Sequence, residues 1–471
     1  MKNLSFFIIN MLIPMTTNAQ LKIAIPNLDK NLNNLNVNSV SEYVVLDDLL
    51  RPLIKFDSNG ELEPDLVESW EIKDSFKTYV LKLKKDQFFS DGSPITLKDV
   101  LTTFNNLIKK ESIVHGDANK IKKITSVGKD AFQIELLESD PFFLTQLSSP
   151  EYRIVKSDKK NFNITSGPYY IASSKKDEIV LKLNNSYPFP FEVKHTDIIY
   201  HSYRNKNFFK NSSIQDFDLI WPDSSFTQEE INHFKTSGFK QYFLNLGFSY
   251  WLSLNPNTLS LVERKMIRKR LDNQLKASDF FEKNNLERAQ QLFLPLGPGR
   301  LSEAEIEELK IPKTSTDMKL KKLSLLLPKN IQEQLLNELK KSFLEFEISY
   351  YKDFTEYSSK IKNHIYDIIL VNNDLSSIDL RSSIMVTFNP SRPLVWLSHS
   401  DKAIENNINK IKVETNSTKR YEYIKKLSSS VLEDVLVYPL YYDYGYFFAK
   451  EKLDLSNLNK AGAETFSWKI K

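Results

Sequence analysis

Hydrophobic and polar residues alternate along Thr78 to Leu83 (TYVLKL), which places Tyr79, Leu81 and Leu83 on one face and predicts a half-buried strand. After the turn Asp91-Gly92-Ser93-Pro94 the period lengthens. Leu97, Val100, Leu101, Phe104, Leu107 and Ile108 fall on one helical stripe, so a helix is expected here. Thr96 is its candidate N-cap, and Asp99 three residues later suits the positive end of the helix dipole. Upstream, the apolar pair Leu53-Ile54 stops at the turn cluster Asp57-Ser58-Asn59-Gly60, where glycine is free to take positive φ.

The texture changes between Leu320 and Asn372. Strand LKKLSLLL, helix, strand FEISYY, helix and strand YDIILVN succeed one another, and Ile331, Leu335, Leu336, Leu339, Phe343 and Leu344 form the stripe of the first helix. Such units place loops at the carboxyl ends of strands, where ligands bind. Asn31 to Asn38 reads as a loop.

The N-terminus bears on compartment. Lys2 supplies a positive start, Leu4 to Met15 is mostly apolar, and Thr17-Asn18-Ala19 offers small residues before a cut ahead of Gln20, the layout of a cleavable signal peptide over residues 1–19. That apolar run is too short to span a bilayer.

At 471 residues the chain needs more than one core, and 41% hydrophobic with 26% charged residues is the balance of a soluble globular protein. The formal charge of +4 falls to +3 without residues 1–19, whose one charged side chain is Lys2. The most basic run, Arg264 to Arg270, is interrupted by apolar positions as a solvated helix face would be, so no nucleic-acid partner is expected. The absence of cysteine closes disulfides, thiolate metal sites and a lipoprotein anchor. The 31 Phe and 21 Tyr against 11 Gly fit either a large aromatic core or an aromatic-lined cleft.

Catalytic chemistry finds little support. His115, His195, His201, His233, His364 and His399 include no pair at helical zinc spacing, and no G-x-S-x-G, Walker or G-x-G-x-x-G motif occurs. Asp47-Asp48 and Asp216/Asp218 are adjacent acids of a kind expected in a chain with 60 carboxylates. No enzyme, metal or cofactor is expected.

Leu53, Phe56, Gly60, Pro64, Leu66, Glu68, Ser69 and Trp70, followed by Leu83, Lys84, Phe89, Asp91, Gly92, Pro94, Thr96, Asp99 and Val100, stand in a specific order. That order resembles the signature region of extracytoplasmic solute-binding proteins of family 5, the peptide and nickel class, with Lys84 where the family usually has Arg and Asp86 where it usually has Gly. Ser166-Gly167-Pro168-Tyr169 resembles the family's GTGPY turn, and LNNSY at Leu183 to Tyr187 its strand end. Arg264 and Asp272 bracket a helix like one in the family, Tyr366-Asp367 precedes a strand as its yDl does, and Leu432 to Tyr442 resembles its C-terminal run.

The resemblance implies an α/β, two-lobed periplasmic binding protein fold with an extra inserted domain and a ligand cleft between the lobes. Mapped here, lobe one takes residues 20–42, 166–245 and 437–471, the inserted domain 43–165, and lobe two 246–436. It implies capture of a peptide or similar small polar solute by lobe closure, delivery to an ABC permease in the inner membrane, a periplasmic location and a monomer. A fold relative acting as sensor or chaperone without transport is the alternative. The aspartate that engages the ligand's α-amino group in peptide-binding members maps to Asp374, although the family's preceding tryptophan is Val371 here and its following aromatic is Leu375. Trp221, Trp251, Trp396 and Tyr442 are further cleft candidates, each also readable as core. Trp70 is assigned to structure.

Overall fold

The computed structural model describes residues 19–471 except 30, 36, 38, 58–61, 110–119, 158–161, 205–206, 212, 223–225, 227, 285, 295–298, 310–318, 330, 343, 353, 375–379, 389–393, 397–401, 415 and 459–466. The leader segment up to residue 18 and the turn over 58–60 therefore lie outside the described residues. β1 (Ala19–Pro26) is followed by β2 (Ile54–Phe56), β3 (Leu62–Pro64), β4 (Val67–Lys73), β5 (Thr78–Leu83), β6 (Ile121–Ser126) and β7 (Ala131–Leu136). Then come β8 (Tyr169–Lys175), β9 (Glu178–Leu183), β10 (His195–Tyr203), β11 (Leu219–Ile220) and the long β12 (Phe239–Leu254). β13 (Glu287–Arg288), β14 (Leu323–Pro328), β15 (Phe346–Tyr351) and β16 (Ile368–Asp374) precede a second long strand, β17 (Val437–Lys450).

The large sheet runs β15-β14-β16-β12-β17-β11-β1-β10-β9-β8, with β13 added on β17. β12 and β17 hold its halves together. They pair antiparallel from Phe239↔Lys450 to Ser253↔Val437, one end beside β11 and the other beside β16. Side chains sort along them accordingly. Phe447 and Ala449 pack with Leu21, Ile23 and Tyr200, whereas Tyr438, Leu440 and Tyr441 pack with Leu325, Ile368 and Leu370. The result is the expected two-lobed α/β architecture, with the crossings made by strands both lobes share; position 245/246 falls inside β12. Val44 to Leu50, expected with the inserted domain, pack in the lobe-one core.

A separate sheet, β4-β5-β7-β6, packs with the helix Leu97–Lys109 around Tyr79, Leu81, Phe89, Phe104, Phe132 and Phe143. Here the sequence pattern translates directly. Tyr79, Leu81 and Leu83 are buried, as are Val100, Phe104 and Leu107, and Asp99 accepts from Thr96 N (2.9 Å) and Thr96 Oγ1 (2.7 Å). Trp70 packs against the same core. In the Asp91–Pro94 turn, Gly92 takes φ +78° and Asp91 Oδ1 accepts from the backbone of Ser93 at 3.1 Å. Asp86, which replaces a usual glycine, sits at φ 57°, a left-handed conformation that aspartate tolerates better than most residues.

The motifs quoted above are brought together in space. Gly167 N–H donates to Leu49 O (2.9 Å), Arg51 N–H to Ser166 Oγ (3.0 Å), and Asn184 Nδ2 to Gly167 O (2.8 Å). The Arg51 guanidinium bonds Asp65 Oδ1 through Nε (3.1 Å) and Nη2 (2.5 Å), donates to Gln87 Oε1 (2.7 Å), and lies 5.2 Å from the Tyr187 ring centre. The signature stretch is thus the joint between lobe one and the inserted domain.

A second buried joint lies beneath it. Asp47, on the helix Val40–Leu49, pairs with Arg153, and both side chains are fully enclosed. Neighbouring Asp48 accepts from Tyr200 Oη (2.8 Å) and from Ser467 N–H (2.9 Å), tying in the C-terminal segment. Burial pushes both carboxyls up to about 7, against the pull of Arg153 on Asp47 and of the Ser467 and Tyr200 donors on Asp48. Unfolding returns them towards 3.8, so the folded state holds more protons between those values and these groups make stability fall as pH rises through that window. Calorimetry should give a smaller loss of melting temperature between pH 5 and 7.5 in Asp48→Asn than in the parent; equal losses would mean Asp48 does not titrate there.

Candidate functional site at the strand crossing

The direction of the strands locates a site. β1 runs parallel to β10 and β11, and β11 pairs antiparallel with β17 as Leu219↔Ala449 and Ile220↔Phe448, so the carboxyl ends in lobe one point towards residue 444. In lobe two, β14 is parallel to β15 and β16, and β16 pairs antiparallel with β12 from Leu254↔Ile368 to Phe248↔Asp374. Its carboxyl ends therefore point towards residue 248. Both sets converge on the middle of β12 and β17, where an α/β protein binds ligands.

The two long strands approach tightly there. A Cβ on Gly247 would stand 2.3 Å from Asp443 O and 2.9 Å from Tyr444 Cα, so only glycine permits this packing. The register shifts between Phe243 and Gly247. A bulge of this kind re-aims side chains and locally interrupts the ladder.

The five residues expected from sequence fall at different depths around the crossing. Trp221 follows β11 directly, is buried in the lobe-one core, and stacks on Phe447 (5.3 Å between ring centres). Its backbone is held by its own N–H to Ala24 O (2.9 Å) and by the Tyr203 hydroxyl, which donates to its carbonyl. Trp251 is fully buried in lobe two, its indole N–H directed to Leu394 O (3.4 Å). Tyr442 is buried in the same cluster, its hydroxyl placed between Gln291 O (2.9 Å) and Phe293 O (3.2 Å). These three are packed side chains in this conformation, with almost no surface to offer a solute.

Trp396 differs, being only partly buried against the Trp251 cluster, with its backbone N–H on Ser253 Oγ (3.2 Å). Its indole N–H is enclosed yet meets no acceptor among the described residues. Asp374, whose backbone alone is described, closes β16 directly across from Phe248. The structure therefore groups Trp251, Trp396 and Tyr442 in one cluster, places Trp221 in another, and sets Asp374 at the crossing itself.

Two residues at this spot escaped the sequence reading. Phe248 is 47% exposed although it lies in a central strand. Asp443, its partner on β17, is exposed, and its carboxyl is pushed up by the desolvating crowd of neighbouring side chains. Alongside them Tyr250 and Tyr441 stack at 4.4 Å, and Asn372 Nδ2 donates to Tyr250 Oη (3.3 Å). Asp443 carried a legible signal, as the one charged residue in the run Tyr438 to Phe448.

Residues 61–275 match the model for bacterial extracellular solute-binding proteins, family 5, middle region. That match supports the family 5 resemblance carried by the signature stretch. Among curated relatives, the periplasmic oligopeptide-binding protein OppA of Salmonella typhimurium is 27% identical over 188 residues, 34% of each chain. The matched segments span no more than 40% of the length of the first relatives. Solved structures extend the likeness of fold to almost the full chain. A nickel ABC transporter protein from Bacillus halodurans superposes with a TM-score of 0.75 at 17% identity, over 94% of this chain and 98% of that one. The periplasmic binding protein DppA of Helicobacter pylori, solved with the peptide STSA, gives 0.60 at 16%, over 96% and 98%. This family 5 fold thus accompanies relatives whose names refer to nickel and to peptide, so the ligand must be argued from the site.

Proposed function

We propose that this chain is the periplasmic substrate-binding component of an ABC importer, which captures a peptide or similar small polar solute between its lobes and hands it to an inner-membrane permease. The observation that carries this reading is the convergence of both lobes' strand ends on two shared strands. A solute touching both sets of loops stabilises the closed arrangement, and its affinity measures that differential stabilisation. The chain acts as a non-enzymatic monomer. Residues 1–19 have the layout of a leader for export.

Asp374 is the residue assigned to the ligand's cationic end, where a charge-assisted hydrogen bond would set orientation. In a thermal-shift screen of di- and tripeptides, sugars, opines and metal chelates, the solute that raises the melting temperature of the parent should lose at least about tenfold in affinity with Asp374→Ala, at unchanged circular dichroism. Undiminished binding would remove Asp374 from the site.

A further inference from the structure

Phe248 and Asp443 occupy the crossing beside Asp374. Phe248 pairs with Asp443 on one side and with Asp374 on the other, so three residues stand abreast across β17, β12 and β16. Neighbouring strands lie about 4.8 Å apart, which puts the two aspartate backbones roughly 10 Å from one another with the phenylalanine between them. Every other aromatic residue of β12 within the lobe-two half, Tyr250 and Trp251, is at least partly buried. Phe248 remains 47% exposed. Among the described residues, no ion pair and no hydrogen-bond donor meets the Asp443 carboxyl; its one attached influence is desolvation, which opposes its charge.

An open aromatic face beside an uncompensated carboxylate is a combination suited to an organic cation. The ring quadrupole attracts an ammonium or guanidinium group, and the carboxylate beside it supplies the counter-charge. A neutral polar group would gain little from the ring, and an anion would be repelled by the carboxylate.

We propose that Phe248 and Asp443 form a cation-recognising subsite, distinct from Asp374, which selects solutes carrying an ammonium or guanidinium group in addition to the one facing Asp374. This inference rests on the binding-protein reading. It makes the preferred solute a basic peptide or a free polyamine, both presenting two cationic centres. Their separation must suit residues whose backbones lie two strands apart.

Isothermal calorimetry and thermal shift on the full exported chain, with Ala-Lys-Ala, Lys-Lys-Lys and spermidine against Ala-Ala-Ala, Ala-Met-Ala and Ala-Glu-Ala, test it. The cationic solutes should bind at least about tenfold tighter than the neutral and acidic ones. Asp443→Asn should erase that preference without changing the melting temperature of the free protein, and Phe248→Leu should weaken the cationic solutes by a few-fold while leaving neutral ones unaffected. Peptide and polyamine arms distinguish the two sources of the cation. Neutral or acidic solutes binding as tightly, or a cationic preference intact in Asp443→Asn, would overturn the subsite and leave the binding-protein reading standing. No stabilisation by any of the six would remove the subsite; failure across the wider screen as well would remove the reading beneath it.

Discussion

Asp47→Ala is expected to be among the most destabilising single changes in the protein, costing about 3–5 kcal/mol. Arg153 is fully enclosed between the helix Val40–Leu49 and the inserted domain, with its guanidinium over the Tyr43 ring at 5.6 Å and on the Asp47 carboxylate. A guanidinium cannot shed its proton at any ordinary pH, so loss of Asp47 leaves a permanent charge in a site that water does not reach. The reverse deletion should be milder. In Arg153→Met the orphaned Asp47, whose carboxyl burial already holds at about 7, can take up a proton and become neutral. Urea unfolding at pH 7 should therefore rank Asp47→Ala below Arg153→Met. Equal losses would mean the pair contributes through packing alone.

Gly167→Ala should cost about 2–4 kcal/mol, from overpacking together with a weakened backbone hydrogen bond. The added methyl would stand 2.4 Å from Leu49 C, 2.6 Å from Leu49 O and 2.7 Å from Leu50 N, all backbone atoms that no rotamer change can move aside. Relief requires the chain around Ser166-Gly167-Pro168 to withdraw from the helix end, which stretches the 2.9 Å bond from Gly167 N–H to Leu49 O. Denaturant titration should show the loss directly, and protease sensitivity around Arg51 should rise with it. A change below about 0.5 kcal/mol would contradict the close approach.

The two-lobed fold was legible through the family resemblance, whereas hydrophobic pattern alone gave only local structure. The strand Thr78–Leu83, the helix Leu97–Lys109 and the turn at Gly92 follow from period, cap and glycine, each a matter of a few neighbouring residues. The alternation of strand and helix from Leu323 to Asp374 was equally plain, helped by the apolar stripe of its first helix. The roles of Arg51 and Gly167 were not visible: Asp65, Gln87 and Tyr187 gather on Arg51 only once distant segments meet. The site shows the same limit. Phe248 acquires its meaning from Asp374 and Asp443, 126 and 195 positions away, and register between strands so far apart leaves no trace in local pattern. Trp221, Trp251 and Tyr442 were singled out as large aromatics near the right elements, but composition cannot tell an aromatic that lines a cleft from one that fills a core. In this conformation they fill cores.

The proposed mechanism requires the lobes to move about β12 and β17 when a solute bridges them. Small-angle X-ray scattering of the protein with and without the solute that most raises its melting temperature measures that motion directly. The radius of gyration should fall on saturation, and the fall should disappear in Asp374→Ala at the same solute concentration. A solute that binds tightly and leaves the radius of gyration unchanged would contradict capture by closure at the strand crossing.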